Sequence, residues 1–250
     1  MTGQAGDLDA WAPRILSAFS LVALILVAAF VLFLRPEASP VWRWGLVSAI
    51  YGSVCVLGMA AVFFPAPCKR IVWPSRVGRG VSVFGGEADR FQTTHILGVR
   101  LVHGHHPPCG GFRGHEVLIR GRSFCAGCTG LLVGAVIALF VTAVSLFLGA
   151  GSIIQGLSLV FLGMAGVALG LFQPLSFKGE KAWLRVFAGG LFVVGTFLIL
   201  WGVDAVLRSL YVDLVVVLFS LLWLGTRIEL SRWSHERICD GCVSGCEKEG

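Results

Sequence analysis

The sequence predicts an all-α membrane protein: a polytopic bundle of about six transmembrane helices with a Cys/His-rich, metal-binding loop and tail in the cytosol. Three observations support this fold class. Of the 250 residues, 56% are hydrophobic and only 14% are charged, whereas a soluble domain carries about 25% charged residues. Several apolar runs reach the roughly 20 residues that are needed to cross the hydrocarbon core. Cysteines and histidines are concentrated in the polar segments between and after these runs.

Each apolar run is bounded by charges, prolines or glycines, as expected where a helix leaves the bilayer. The first run follows Arg14 and is too long for the apolar core of a signal peptide. No small-residue cleavage pattern follows it, so we expect it to remain as a transmembrane helix. Trp42, Trp44 and Trp183 lie near predicted span ends, where tryptophan is enriched. The six predicted spans are 15–34, 44–66, 125–148, 152–172, 184–203 and 209–225.

The distribution of lysine and arginine predicts the orientation. If both termini are cytosolic, all but three of the 20 basic residues lie on the cytosolic side, the exceptions being Arg35, Arg43 and Arg208. The opposite orientation would violate the positive-inside rule at every loop. We therefore expect a multi-pass protein of the cell membrane with both termini in the cytosol. The same rule explains the net charge of +6, so no nucleic-acid partner is expected.

These predictions divide the chain into four regions. Two N-terminal transmembrane helices occupy 1–66, and a basic cytosolic Cys/His loop occupies 67–124. Within this loop, 67–102 could form a small hairpin or an interfacial segment. A four-helix transmembrane region follows over 125–225, and a cytosolic Cys-rich tail covers 226–250. Glycine pairs spaced by three residues, at Gly130 and Gly134 and at Gly166 and Gly170, let helices approach closely. Packing within one bundle is the favoured interpretation of these pairs, and dimerisation is the alternative.

The first cysteine cluster has the spacing C-x5-H-x9-C-x2-C, formed by Cys109, His115, Cys125 and Cys128. A C-x2-C pair at a turn can present two thiolates to one metal ion, and a second pair completes a tetrahedron. Zinc fits such a closed site. A redox-active dithiol and an inert pair are the alternatives. The upstream run His103, His105, His106 could replace His115, could form a more open imidazole site, or could be a solvated polar loop.

The second cluster has the spacing H-x3-C-x2-C-x3-C in the tail. Three close thiolates suit zinc, and they also suit an iron–sulfur cluster, whose local runs use similar spacings. The fourth ligand could be His235 or Cys68, and the tail could also join the first cluster in one site. The alternative is a disordered tail with free thiols. The three thiols belong to Cys239, Cys242 and Cys246.

Charges near the span ends have a simpler interpretation. Asp204 and Asp213 fall at the outer ends of the last two spans, where we expect them to face water. The basic stretch 227–237 is a candidate for an amphipathic helix on the inner leaflet. No acidic residue is predicted in the middle of a span, which disfavours a proton- or ion-coupled transporter. Nucleotide-binding loops and the common hydrolase motifs are absent from the sequence.

The segment 121–130 (GRSFCAGCTG) resembles the hallmark of a family of predicted prokaryotic multi-pass membrane proteins of unknown function. In that family a Cys-His-rich loop is followed by Cys-Ala-Arg-Cys-Thr-Gly at the start of a transmembrane helix. Here Gly127 replaces the arginine, and 105–109 (HHPPC) stands where the family has its upstream Cys-His pair. The resemblance extends to Gln173-Pro174 and to Leu184-Arg185-x3-Gly189-Gly190. It implies a multi-pass fold and a metal site, but no activity.

The sequence thus predicts an integral protein of the lipid bilayer with a zinc-type cytosolic site and no catalytic residues. Such a site would have a structural or docking role, in contact with a protein partner or a second copy through small-residue helix faces. A membrane redox protein, using an iron–sulfur cluster or the dithiol, is the first alternative. Metal-ion handling, with the histidine run collecting an ion for passage, is the second. The lack of mid-span ligands weakens that last hypothesis.

Overall fold

The structure is a computed structural model that describes residues 4–37, 40, 42–63, 93–96, 99–102, 114–119, 122–148, 153–176 and 181–246. Six of its helices are long and apolar enough to cross a membrane. This confirms the predicted multi-pass character of the chain. The helices are α1 (Gln4–Phe33), α2 (Arg43–Phe63), α3 (Ala126–Leu148), α4 (Ile153–Ser176), α5 (Ala182–Leu207) and α6 (Leu210–Cys246).

The boundary of the last helix differs most from its prediction. The predicted sixth span ends at 225, whereas α6 continues without interruption to Cys246. The stretch 227–237 therefore extends the last helix and is not a separate helix lying on the leaflet. The prediction treated Arg227 as a residue outside the bilayer because a charged side chain is costly within it. The structure instead buries Arg227, which is 5% exposed.

Two β-hairpins lie between α2 and the third helix; a small hairpin within 67–102 was one of the two alternatives that the sequence left open, and the second hairpin was not predicted. In the first, β1 (Thr93–Ile96) pairs antiparallel with β2 (Val99–Val102). In the second, β3 (Glu116–Ile119) pairs with β4 (Arg122–Cys125). Both hairpins join their strands through two residues and contain β-branched residues, which favour extended backbone. The all-α prediction is correct for the spans and incomplete here.

Helices α4 and α5 form the tightest packing in the bundle, because glycines let their backbones meet. A Cβ atom placed on Gly163 would lie 2.6 Å from the carbonyl oxygen of Gly195, and one on Gly202 would lie 2.6 Å from that of Gly156. Helix α3 meets α5 in the same way, since a Cβ on Gly134 would lie 2.9 Å from the Cα of Gly190. The glycines at 130, 134, 166 and 170 therefore pack within the bundle.

Buried hydrogen bonds tie the first two helices to the others. Ser20 on α1 shares a 2.8 Å hydrogen bond with Thr226 on α6, and the indole of Trp223 donates to the Ser20 carbonyl at 3.1 Å. Tyr51 on α2 bonds the Thr196 hydroxyl on α5 at 2.8 Å.

Helices α1, α3 and α5 begin at one end of the bundle, which carries β3 and β4. We call this the hairpin end. We call the opposite end the triad end, because the side chains of Arg43, Asp204 and Asp213 meet there.

Candidate functional site

The C-x2-C pair lies where the second hairpin runs into α3. Cys125 is the last residue of β4, opposite Glu116 of β3, and α3 begins at the next residue, so Cys128 falls in its first turn. Cys125 is buried and Cys128 is partly buried. The predicted position of the pair at the start of a helix is thus correct, except that Cys125 ends a strand.

Neither cysteine is in a disulfide, and their side chains hydrogen-bond to each other. The hydroxyl of Thr129 donates to the Cys125 carbonyl oxygen at 2.9 Å, which secures the strand-to-helix junction. The unsatisfied N–H groups and the macrodipole at a helix N-terminus favour negative charge. The helix N-terminus thus favours the thiolate, the form of cysteine that binds metal or attacks disulfides, whereas the hydrogen bond between the two thiols and burial favour the neutral form.

Arg227 of α6 places a positive charge beside the thiols. Its guanidinium interacts electrostatically with both Cys128 and Cys125. It donates a hydrogen bond to the Gly170 carbonyl, and its Cζ lies 5.1 Å from the centroid of the Phe192 ring. Gly189 makes room for it, since a Cβ there would lie 3.2 Å from Arg227 Nη2.

No carboxylate among the described residues forms an ion pair with Arg227. Glu229, two residues further along α6, pairs instead with Arg232, with Nε and Oε2 3.1 Å apart. The two thiols act electrostatically on this guanidinium, and they would become its negative partners on losing a proton. Arg227 is not among the site residues predicted from the sequence. A signal was present in the sequence, because Arg227 lies two residues past the predicted end of the sixth span, on the predicted cytosolic side, where the C-x2-C pair also lies.

The other predicted ligands of the first cluster are only partly described. His115 is buried in the short turn directly before β3, and β3 contacts the start of α5. Across the part of the chain that the structure describes, no three His, Cys, Asp or Glu residues are grouped closely enough to hold a metal ion. The remaining predicted ligands lie outside the described residues: His103, His105, His106 and Cys109.

The predicted tail cluster lies on the helical backbone of α6. Positions 239, 242 and 246 are three and four residues apart, so they share one face of the helix. Position 235 lies one turn before them. Cys239 is 12 residues beyond Arg227 on one continuous helix, about 18 Å along its axis at 1.5 Å per residue. Whether tail and loop share one site stays a prediction, because the loop ligands at 103–109 lie outside the described residues. Cys68 lies outside the described residues.

Two glycines that carry the family resemblance bring α3 and α5 into contact, and one of them, Gly130, is close to the thiol pair in sequence. A Cβ on Gly130 would lie 3.0 Å from the Cα of Gly189, which brings the start of α3 against α5. Gln173 and Arg185 are both buried. The register that sets Gly163 against Gly195 also places position 173 opposite position 185. No protein-family model, curated protein or solved structure matches the chain. The resemblance therefore stays a prediction.

The prediction that Asp204 and Asp213 face water is wrong. They are 2% and 0% exposed. Arg43, the first residue of α2, binds both, with Nη2 2.7 Å from Asp204 Oδ1 and Nη1 3.1 Å from Asp213 Oδ2. Single-span analysis places these residues at helix ends and cannot show that three ends converge. A signal was present in the sequence, because Arg43 is one of only three basic residues predicted on the outer side, where both acids also lie.

Proposed function

We propose that the hairpin end faces the cytosol and that Cys125 and Cys128 bind a zinc-type metal ion there. In this proposal the protein is a non-catalytic membrane protein, and the metal orders a surface on which a protein partner or another subunit docks. The observation that carries the proposal is the buried guanidinium of Arg227 beside two thiols. The distribution of basic residues in the sequence supports the cytosolic orientation.

The charge balance supports metal binding by these thiols. A buried arginine with no counter-ion is costly, because the charge has lost its hydration. Two thiolates at the helix N-terminus would supply the missing negative charge. A zinc ion carries two positive charges and each cysteine thiolate one negative charge. The ion and its ligands together are therefore negative when three or four thiolates bind it. Arg227 would then neutralise that negative charge from the membrane side.

The two further ligands would come from the segment that precedes β3. Cys109 and His115 are the first candidates, and His103, His105 and His106 are the others. Cysteine and histidine are the ligands that close tetrahedral zinc sites use. His115 supports this direction of approach, because it is buried in the turn through which the chain enters the hairpin.

Metal analysis of anaerobically purified, detergent-solubilised protein tests this proposal. We expect about one zinc ion per chain, and a loss of at least half of it in Cys125→Ser and in Cys128→Ser. Cys55→Ser is the matched control, because Cys55 is also a buried free thiol but lies within α2. Equal metal content in all four proteins would contradict the proposal. Partner docking predicts in addition that Cys128→Ser loses proteins that co-purify with the wild type.

A redox-active dithiol is the second candidate, and the hydrogen bond between the two thiols favours it. Oxidation would join Cys125 Sγ to Cys128 Sγ and release two protons and two electrons to a disulfide or quinone oxidant. In the metal analysis this alternative predicts no bound metal. It also predicts that mild oxidation removes two titratable thiols in the wild type and none in either serine variant.

A further inference from the structure

The triad end of the bundle holds two carboxyl groups for one guanidinium. Arg43 opens α2, Asp204 lies in the last turn of α5 and Asp213 lies in the first turn of α6. All three are buried, at 6%, 2% and 0% exposure. The salt bridges of 2.7 and 3.1 Å use both terminal nitrogens of Arg43, one for each carboxyl group. If both acids were ionised, the triad would carry a net negative charge.

The geometry of the two acids shows where that charge would be concentrated. Both bind the one guanidinium of Arg43, at 2.7 and 3.1 Å, which sets the two carboxyl groups beside each other. Oδ1 of Asp213 is buried and accepts no hydrogen bond, and Arg43 Nε, in the same triad, donates none. Two carboxylates at such close range cannot both ionise cheaply in a medium of low dielectric constant. A single proton between them relieves the repulsion and leaves one carboxylate for one guanidinium.

The surrounding charged groups do not replace that proton. Arg208, in the turn between α5 and α6, acts on Asp204 electrostatically, but it is exposed and its charge is screened by water. Arg35 and Glu37, in the connection after α1, are also exposed and carry opposite charges. The backbone N–H of Glu37 donates to the Leu207 carbonyl at 2.9 Å, which holds this connection over the end of α5.

A partly open cavity lies at the same end of the bundle. Its volume is about 310 Å³. Ser209 and Val212 line it, and they are close neighbours in sequence of Asp204 and Asp213. The rest of its wall comes from the connection after α1 and from the end of α5: Leu34, Arg35, Pro36, Glu37 and Leu207.

We propose that Asp204 and Asp213 form a proton-binding site that exchanges one proton with the aqueous phase at the triad end. With the proton bound, Arg43 and the acid pair form a neutral triad that holds α2 against α5 and α6. Without it, the two carboxylates repel each other at the point where the three helix ends meet. The site shares no residue with the thiol pair, which lies at the opposite end of the bundle.

Thermal unfolding of the full chain in detergent, measured between about pH 5 and pH 9, tests the proposal. A proton held more firmly in the folded state stabilises the fold at low pH, and this stabilisation is lost as the pH rises through its release. We expect the unfolding temperature of the wild type to fall with rising pH. Asp213→Asn, which leaves one carboxylate for Arg43, should remove most of this dependence without loss of folding at pH 7.

Glu229→Gln is the matched control, since Glu229 is also a buried acid in an ion pair but lies nearer the hairpin end. It should keep the wild-type pH profile. If Asp213→Asn does not fold, Asp204→Asn replaces it. Infrared difference spectra of the wild type should also show a protonated carboxyl band that disappears in the folded variant. Retention of the full pH dependence and of that band in a folded variant would overturn the proposal.

Discussion

The two most deeply buried arginines, Arg43 and Arg227, lie towards opposite ends of the bundle and differ in what surrounds the guanidinium. Arg43 at the triad end binds two carboxyl groups, at 2.7 and 3.1 Å. Arg227 towards the hairpin end contacts a backbone carbonyl, an aromatic ring and two thiols. One arginine therefore has more potential negative charge than it needs, and the other has enough only if the thiols ionise. Burial of an arginine alone does not identify its role; its partners do.

The largest effect should follow removal of the charge at the triad end. Arg43→Gln leaves two buried acids without a cation, and breaking a buried ion pair in this way costs about 3–5 kcal/mol. We expect that loss in the free energy of unfolding at pH 7, measured by thermal or denaturant unfolding in detergent. Arg35→Gln removes an exposed cation near the same end and should change stability by less than about 0.5 kcal/mol. Equal losses in the two variants would refute the structural role of the triad.

The next effect concerns how closely the hairpin end is packed. In Gly130→Ala the new methyl group would meet the backbone of α5 at Gly189, 3.0 Å away. Overpacking of this kind costs about 1–3 kcal/mol. Gly58→Ala is the control, because a Cβ there meets nothing within 4 Å. That variant should be neutral or slightly stabilised, since alanine favours helix more than glycine does. Comparable destabilisation of both would mean that α3 and α5 are not in close contact.

Arg227→Met should separate the two arginines by function. We expect its stability to stay within about 1 kcal/mol of the wild type, because no ion pair with a carboxylate is broken and methionine fills similar space. Zinc retention in competition with a chelator should fall about 10-fold, as happens when an outer-shell partner of a metal site is lost. Arg227→Lys keeps the charge and should retain more zinc than the methionine variant. Unchanged zinc retention in Arg227→Met would show that the guanidinium does not serve the thiols.

The smallest effect lies between the two ends. Tyr51→Phe removes the hydrogen bonds of the phenol to Thr196 and to the Val193 carbonyl. Loss of such bonds costs about 1 kcal/mol. It should lower stability by that amount at every pH and leave zinc content unchanged. This variant therefore provides a baseline for changes that affect neither charged end, and a change in zinc content here would point to coupling through α2 and α5.

The sequence predicts the transmembrane helices well because their signal is local. A run of apolar residues has the length to cross the bilayer whatever its neighbours are, and all six predicted spans correspond to helices in the structure. The start of α3 beside Cys125 and Cys128 was predicted for the same reason. The hairpin from Glu116 to Cys125 was missed, because its strands are only four residues long.

The buried charges were not predictable because they depend on contacts between distant segments. Asp213 lies 170 residues from Arg43 in sequence, and a rule that treats one span at a time assigns both to water. Arg227 was placed outside the bilayer for the same reason. Its partners come from α4, α5 and the start of α3. The first-cluster ligands at 103–109 lie outside the described residues, so the full ligand set remains a prediction.

Helix α6 carries one residue of the Arg43 triad and the arginine beside the thiols on one continuous helix. Asp213 and Arg227 are 14 residues apart, about 21 Å along the axis, and their directions around it differ by only about 40° at 100° per residue. If α6 shifted along its axis by the rise of one residue, about 1.5 Å, the displacement would be about half the length of a hydrogen bond. Such a shift would stretch the link of Asp213 to Arg43 and that of Arg227 to Gly170 together. The two ends of the bundle are thus mechanically linked, and neither can be rearranged by sliding α6 without disturbing the other.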